Sequence, residues 1–279
     1  MKKHILLPAL AWVGGIVGFA LRKWELNAAF DPASQLMRMT LPGVLLVVLM
    51  AALAAVVILG CCKMGRRSGG DWFYAPSSGY AMAALAGGLV MLIAGGLSLW
   101  QIYTGGERKM MLLLTAILLV LGGGAAAAAA RSIYRGRWSD GLPILLMVPG
   151  FATLLWLVGV YQQHSRQPEV QLYAWQILSA VAIVLALYGQ ASLALDKGSA
   201  SRTSVYGLLA IAMTPVALAD GVGLAYTLVW LGSAVWLTAQ SYMLLNAAFG
   251  PERPERMCPT EEDEQPEDET ELEDTDNGQ

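Results

Sequence analysis

Long apolar stretches separated by short polar segments run through the first 250 residues of the chain. A helix needs roughly 20 apolar residues to cross about 30 Å of hydrocarbon, and eight stretches come within a few residues of that length. None of the eight carries Asp, Glu, Lys or Arg in its interior. The pattern predicts eight membrane-spanning helices, at residues 5–21, 41–62, 79–103, 110–131, 142–161, 170–195, 203–219 and 223–249.

These stretches predict helices rather than the strands of a membrane barrel. A barrel strand alternates apolar and polar residues over about 10 positions, and residues 112–121 and 181–187 show no such alternation. In lipid every backbone N–H and C=O needs a partner within the protein, and a helix supplies one within its own segment. The expected fold class is therefore all-α, a polytopic bundle of transmembrane helices.

The boundary between the last two spans depends on a short break in the apolar pattern. Without a break, residues 203–249 would form one run of 47 residues, far too long for a single crossing. Pro215 removes a helical hydrogen bond nearby, and Gly221 and Gly223 allow a tight turn. These residues predict a hairpin at residues 219–223.

The composition fits a protein surrounded by lipid. Hydrophobic residues make up 56% of the 279 residues, charged residues 14%, and the mean hydropathy is +0.52. Soluble domains usually carry about 25% charged residues, so this chain lacks the charge to coat a water-facing surface. A soluble globular enzyme, a disordered chain and a nucleic-acid-binding protein are therefore excluded, and the lipid bilayer is the expected first partner.

The charges separate into an acidic tail and a basic remainder. Residues 251–279 hold 13 acids and 2 bases, whereas residues 1–250 hold 16 bases and 8 acids. The tail also has almost no large apolar residues, so it cannot bury a core and is predicted to be disordered. It is either a solvated tail or an electrostatic site, for a cytoplasmic protein partner or for the chain's own basic segments 63–67 and 131–137.

The bases in the loops predict the orientation in the membrane. Short loops rich in Lys and Arg stay in the cytoplasm, and the two sides of the eight spans carry 12 and 6 bases. The richer side includes both termini, so the sequence predicts a multi-pass plasma-membrane protein with cytoplasmic N- and C-termini. The first outer loop opposes this orientation, because it holds Arg22, Lys23 and Arg38.

The first apolar stretch has a second interpretation as a signal peptide. Two lysines precede it, and Gly18-Phe19-Ala20 resembles a small-x-small cleavage site. Two bases directly after that site disfavour export, so we favour a retained span. Cleavage would leave seven spans and the same cytoplasmic C-terminus.

Residues that could catalyse a reaction or hold a cofactor are few. His4 and His164, the only histidines, are predicted on opposite membrane faces and cannot share a metal or a haem. Cys61 and Cys62 are adjacent and lack the spacing of a C-x-x-C redox or zinc site. Residues 122–124 are three glycines without the G-K-[ST] ending of a phosphate loop. The sequence predicts no catalytic, cofactor-binding or metal-binding residues, and the expected protein is not an enzyme.

Asp220 is the acid that we single out as a candidate functional residue. An ionisable residue at mid-membrane is the usual mark of an ion pathway, and the acids outside the tail lie in predicted loops instead. Asp220 belongs to a hairpin too short to reach far into water. Two interpretations stay open: it caps the start of the eighth span, or it is a site acid at the outer face.

Polar and small residues inside the spans predict contacts between helices. Amide side chains can hydrogen-bond across helices in lipid, and glycines let two backbones approach closely. Trp230 and Trp236 lie deep in the last span and are expected to pack inside the protein, whereas Trp24 and Trp72 fall near span ends, which suits the headgroup level. The expected amide contacts are at Gln101, Gln190, Gln240 and Asn246, and the expected close approaches at Gly14, Gly18, Gly87, Gly88, Gly95, Gly96 and residues 122–124.

A weak internal similarity raises the question of a duplication. Residues 7–10 (LPAL) and 142–145 (LPIL) open the first and fifth spans alike, and the third and seventh spans also begin similarly. Four helices per half would give parallel repeats about an axis along the membrane normal, as in some carriers. Apolar composition alone also produces such matches.

Two short motifs carry a resemblance to known proteins. The segment 24–31 (WELNAAFD) and the segment 218–221 (LADG) resemble a set of uncharacterised multi-pass proteins from Gram-positive anaerobic bacteria. The resemblance extends over most of residues 5–249. It implies no activity, because that group has none assigned, and it implies a bacterial plasma membrane.

These features lead to two functional hypotheses. The first is a non-enzymatic membrane component that acts as a scaffold or partner-binding subunit through its inner loops and tail. The alternative is a small-solute transporter with a path between two four-helix halves. The absence of convergent ionisable residues in the spans favours the first hypothesis.

Overall fold

The computed structural model describes residues 3–29, 40–65, 69–75, 77–105, 110–136, 141–164, 170–221 and 223–250. The expected acidic tail, residues 251–279, lies outside the described residues. The described part is all-helical, and its nine helices are α1 (Lys3–Ala29), α2 (Leu41–Cys61), α3 (Gly69–Trp72), α4 (Ser78–Gly105), α5 (Met110–Tyr134), α6 (Leu142–His164), α7 (Val170–Ala194), α8 (Ala200–Leu218) and α9 (Leu224–Phe249).

The eight long helices coincide with the eight predicted spans, which confirms the predicted fold class. The short hairpin predicted at residues 219–223 is also present, because α8 ends at Leu218 and α9 begins at Leu224. The largest difference is at the end of α1, which was expected near Leu21 and continues to Ala29. The extra turns carry Arg22 and Glu25, whose side chains pair with each other.

The more apolar helices of the described part are the less buried ones. Among the described residues, seven helices are long and apolar enough to cross a membrane, and α8 is not one of them. The most apolar window of α2 has mean hydropathy 3.1 and is 28% buried, whereas that of α9 has mean hydropathy 1.3 and is 72% buried. Helix α8 packs against α1, α2, α7 and α9. Because protein rather than lipid surrounds α8, it needs less apolar side chains than the outer helices do.

The helices α4 to α9 form a closed ring in chain order. Each packs on the next, and α9 returns to α4. Helices α1 and α2 lie outside this ring, where both contact α8. In the described part, α1 and α2 make no extensive interface with α4 or α5, so the first four spans do not form one four-helix half. The arrangement in two four-helix halves, which the weak internal similarity left open, is therefore not the packing of the described helices.

Glycines bring α4 against its two neighbours in the ring. A Cβ on Gly87 would lie 2.7 Å from the backbone nitrogen of Trp236 on α9. A Cβ on Gly88 would lie 2.9 Å from the backbone nitrogen of Ala127 on α5. The predicted close approaches at these glycines are confirmed, whereas Gly96 faces open space.

The first and last long helices meet at one end of the bundle. The ammonium of Lys3 lies 5.2 Å from the centre of the Phe249 ring. Ser201 at the start of α8 donates a hydrogen bond of 2.8 Å to the carbonyl of Cys61 at the end of α2. We call this the basic end, and we call the opposite end, where the α8–α9 hairpin lies, the Asp220 end.

The segment after α2 folds back onto the ring at the basic end. Its short helix α3 packs against α7 and α9, and the side chains of Trp72 and Phe73 are buried in the hydrophobic core. The prediction that Trp72 lies at the headgroup level is therefore wrong, because it is 1% exposed. Trp24 is 53% exposed and suits that prediction.

Candidate functional site

A buried ion-pair cluster lies at the Asp220 end. The Arg22 guanidinium donates through Nε to Asp220 Oδ1 and through Nη1 to Glu25 Oε2, both at 2.8 Å. Gln176 of α7 donates through Nε2 to the second Asp220 oxygen at 3.2 Å. The side chains of Arg22 and Asp220 are each 1% exposed, and that of Glu25 is 16% exposed.

The local backbone places these groups from four elements. Asp220 lies in the α8–α9 hairpin, where its backbone N–H bonds to the Ala217 carbonyl and Gly221 adopts a φ of 75° that favours glycine. Helix α2 contributes Gly43, where a Cβ would lie 2.5 Å from Glu25 Oε1. Glycine at residue 43 thus leaves the room that the Glu25 carboxylate occupies.

The expectation that Asp220 caps the start of the last span is wrong. The N-cap of α9 is Gly223, and that position makes no side-chain cap hydrogen bond. An unpaired buried charge is strongly destabilising. The Asp220 carboxylate therefore stabilises the protein more by pairing with the buried Arg22 guanidinium than it would by capping an exposed helix start. Arg22 was also counted as a base of the first outer loop, but it lies inside α1 and is paired.

The hydrogen bonds of this cluster hold separate helices together. Both oxygens of Asp220 accept hydrogen bonds from side chains that are fixed on other helices. In the described part, no group of three or more His, Cys, Asp or Glu side chains could hold a metal ion. The cluster links α1, α7 and the α8–α9 hairpin. Whether Asp220 also acts on a ligand stays a hypothesis.

A second set of polar groups lies inside the ring. Gln240 of α9 donates through Nε2 to the Tyr80 hydroxyl of α4 at 3.1 Å, and Trp236 donates through Nε1 to Gln190 Oε1 of α7 at 3.2 Å. The predicted interhelix contacts of Gln190 and Gln240 are confirmed. Gln101 is exposed on α4 instead, and Asn246 is half-buried on α9.

Aromatic side chains fill the ring on the Asp220 side of these amides. Trp156 of α6 meets Trp230 of α9 edge to face, with ring centres 4.5 Å apart, and Trp230 is 1% exposed, as expected for a packing residue. Beside them is a cavity of about 30 Å³ that Ser98 and Thr115 also line, which is enough for a water molecule. The Trp156 indole nitrogen is buried without a hydrogen-bond partner among the described residues.

Removing the Tyr80 hydroxyl tests how much these buried polar contacts stabilise the ring. Tyr80→Phe keeps the aromatic packing but leaves the Gln240 amide without its acceptor, so we expect a loss of about 1–3 kcal/mol in unfolding free energy. Equilibrium unfolding in mixed detergent micelles measures it. Tyr188→Phe is the matched control, because Tyr188 is 66% exposed. Equal stability of the two variants would contradict a stabilising role for the buried contact.

The two ends of the bundle differ in charge. Six described bases lie exposed at the basic end with two described acids, a net of +4, and these bases are Lys3, Lys63, Arg131, Arg135, Lys197 and Arg202. At the Asp220 end the described charges are two bases and two acids, which balance. Of the two bases there, Arg22 is buried in the ion-pair cluster. The excess positive charge of the described bundle is therefore confined to the basic end.

Comparisons with known proteins give no relative from which a role could be transferred. No protein-family model, no curated protein and no solved structure matches this chain. The chain is therefore described by its architecture, as a multi-pass helical membrane protein, and any function must be argued from the charges and contacts above.

Proposed function

We propose that this protein is a non-enzymatic membrane component that binds a cytoplasmic protein partner at its basic end. The observation that carries the proposal concerns the described residues, whose excess positive charge is confined to the end of the bundle where α9 ends. The acidic segment 251–279 follows α9 in the sequence. In this proposal the basic end and both termini face the cytoplasm of a bacterial cell. That orientation agrees with the tendency of basic loops to stay inside.

Charge of both signs at one end suits recognition of a partner rather than catalysis. Complementary charged surfaces steer encounters and select partners more than they add affinity. Segment 251–279 adds 13 acids to the sequence directly after Gly250, whereas the described surface of the basic end is net positive. A partner could therefore recognise either charge. The bundle then serves as the membrane scaffold that fixes these surfaces relative to each other.

The packed interior supports a scaffold over a conduit. Tryptophans of α6 and α9 occupy the middle of the ring, and the cavity beside them has about 30 Å³. The Trp236 side chain, which is 0% exposed, fills the next layer of the ring interior. A ring interior packed with tryptophans suits a protein whose role is to position its ends.

A charge-neutralising variant tests the proposal. Lys197→Gln combined with Arg202→Gln removes two bases from the basic end, and Lys23→Gln is the control at the Asp220 end. We expect the full-length protein, purified from its native membrane in mild detergent, to retain a stoichiometric protein partner. Two exposed bases together contribute up to about 2 kcal/mol, which is roughly thirtyfold in affinity. The neutralised variant should therefore retain clearly less of that partner in quantitative mass spectrometry, whereas the control should keep it.

Three results would contradict this function. The wild-type protein could lack any stoichiometric partner, or the control could lose the partner as fully as the neutralised variant does. A reporter fused at Asn277 could also give a signal typical of the periplasm, which would place the tail on the wrong side.

The alternative function is transport of a small polar solute through the ring. The observation that favours it is the set of polar groups along the ring interior, where Trp156 Nε1 and Gln240 Oε1 are buried without hydrogen-bond partners among the described residues. The path would lie within the ring of α4 to α9 rather than between two four-helix halves. Thermal stabilisation by a solute, together with its uptake into proteoliposomes, would favour this alternative over partner binding.

A further inference from the structure

A groove between α4 and α5 opens at the basic end of the bundle. It has a volume of about 520 Å³ and is lined by Ala81, Leu85, Ala127, Ala128, Arg131, Tyr134 and Arg135. The α5 residues recur at helical spacing, so one face of α5 presents small side chains first and two guanidinium groups at its end. The floor is apolar and the mouth is basic.

Small residues create this groove, and large exposed ones border its mouth. Near Gly88 and Gly123 the α4 and α5 backbones are in contact, because a Cβ on Gly123 would lie 2.7 Å from the Gly88 carbonyl oxygen. Closer to the basic end the facing α5 side chains are alanines, which leave the space open. Arg131 and Arg135 are exposed there, and the Tyr134 ring is 54% exposed.

We propose that this groove binds an anionic phospholipid, with the phosphate between Arg131 and Arg135 and an acyl chain along the apolar floor. Guanidinium groups bind phosphate oxygens through charge-assisted hydrogen bonds, and basic pockets between transmembrane helices recognise anionic headgroups. An exposed tyrosine at the helix end suits the headgroup level of the membrane. The groove therefore supplies a contact for each part of such a lipid.

The apolar floor favours a lipid over the chain's own acidic tail. Segment 251–279 offers carboxylates for the two arginines, but Met257 and Leu272 are its only large apolar residues. A carboxylate segment would cover the basic mouth and leave the floor of Leu85 and Ala127 exposed. An acyl chain covers that floor.

The test compares lipid binding by full-length variants with matched loss of charge. Arg131→Gln with Arg135→Gln removes the groove bases, and Lys197→Gln with Arg202→Gln removes two bases from the same end outside the groove. Delipidated protein in neutral detergent is titrated with dioleoylphosphatidylglycerol or dioleoylphosphatidylcholine and followed by native mass spectrometry. We expect the groove variant to bind phosphatidylglycerol about twenty-fivefold more weakly, since each of the two bases contributes a factor of about five near an anionic lipid.

The remaining measurements distinguish a bound phospholipid from free phosphate and from the chain's own acidic segment. The wild type and the charge control should prefer phosphatidylglycerol to phosphatidylcholine, and millimolar inorganic phosphate should not displace the bound lipid. Ala128→Trp, which fills the groove without removing charge, should weaken lipid binding as well. A photo-reactive residue introduced in place of Ala128 should cross-link to the lipid.

Four results would overturn the site. They are equal binding of the two phospholipids, equal weakening in both double variants, displacement by free phosphate, and a cross-link from residue 128 to segment 251–279. The last would assign the groove to the tail. None of these readouts depends on the protein partner of the proposed function, so the two proposals can fail separately.

Discussion

Replacing Asp220 with leucine is expected to lower the unfolding free energy of the bundle by about 3 kcal/mol or more. The variant leaves the Arg22 guanidinium buried and removes its ion pair with Asp220, while the ion pair with Glu25 stays. Removing one partner of a buried pair is costly because the other charge stays desolvated. Reversible unfolding of the full-length protein in mixed micelles measures the loss.

The double variant separates the pairing from the packing. Arg22→Met combined with Asp220→Leu removes both charges, and we expect it to recover most of the stability lost by Asp220→Leu alone, because apolar replacements of buried pairs are often neutral. Lys23→Met is the matched control, since Lys23 is exposed on the same helix. A double variant as unstable as the single one would show that the contact between charges is not what stabilises this end.

The second large effect is expected at the α4–α5 contact. A Cβ on Gly123 would lie 2.5 Å from the backbone nitrogen of Leu92, and backbone cannot move aside as a flexible side chain can. Gly123→Leu should therefore separate the two helices and cost about 3 kcal/mol or more, at the upper end for overpacking. The same unfolding assay measures this loss of unfolding free energy.

The adjacent residue is the control for this prediction. Gly124 has no atom within 4 Å of a Cβ built on it. Leucine at residue 124 should change stability little or raise it slightly, because leucine is a better helix former than glycine by up to about 1 kcal/mol. Similar losses at residues 123 and 124 would contradict the close approach of α4 and α5.

The sequence predicts the helices of this protein well because lipid imposes a simple rule on each one. A crossing helix must be apolar over about 20 residues, and seven of the eight long helices in the described part meet that rule. The eighth, α8, is located from its shorter apolar run and the break that follows it. Trp230 and Trp236 were also expected to pack inside the protein, because they lie far from either end of α9, and both are buried. Such features depend on the position of a residue within its own helix.

The packing of the helices is harder to predict, because it depends on residues far apart in the chain. The sequence shows Arg22 next to an apolar run and three residues before Glu25, but not that its second carboxylate partner, Asp220, is 198 residues away. It also gives no sign that Trp72 is covered by α7 and α9, since the neighbouring residues are polar and glycine-rich. The low apolarity of α8 is the sequence feature that indicates its enclosure by other helices. Unless its burial is known, the same feature indicates only a weak membrane span.

The separation of Arg22 from Asp220 also sets an order for assembly during synthesis. At roughly 5–20 residues per second, the ribosome takes about 10–40 s to add the 198 residues between them. Throughout that time the nascent α1 holds an arginine near its end with Glu25 but without Asp220, and a long side chain in that situation extends toward the headgroups. The Arg22–Asp220 ion pair can therefore form only after the last hairpin has been synthesised, and a chain truncated before residue 220 keeps Arg22 without this partner.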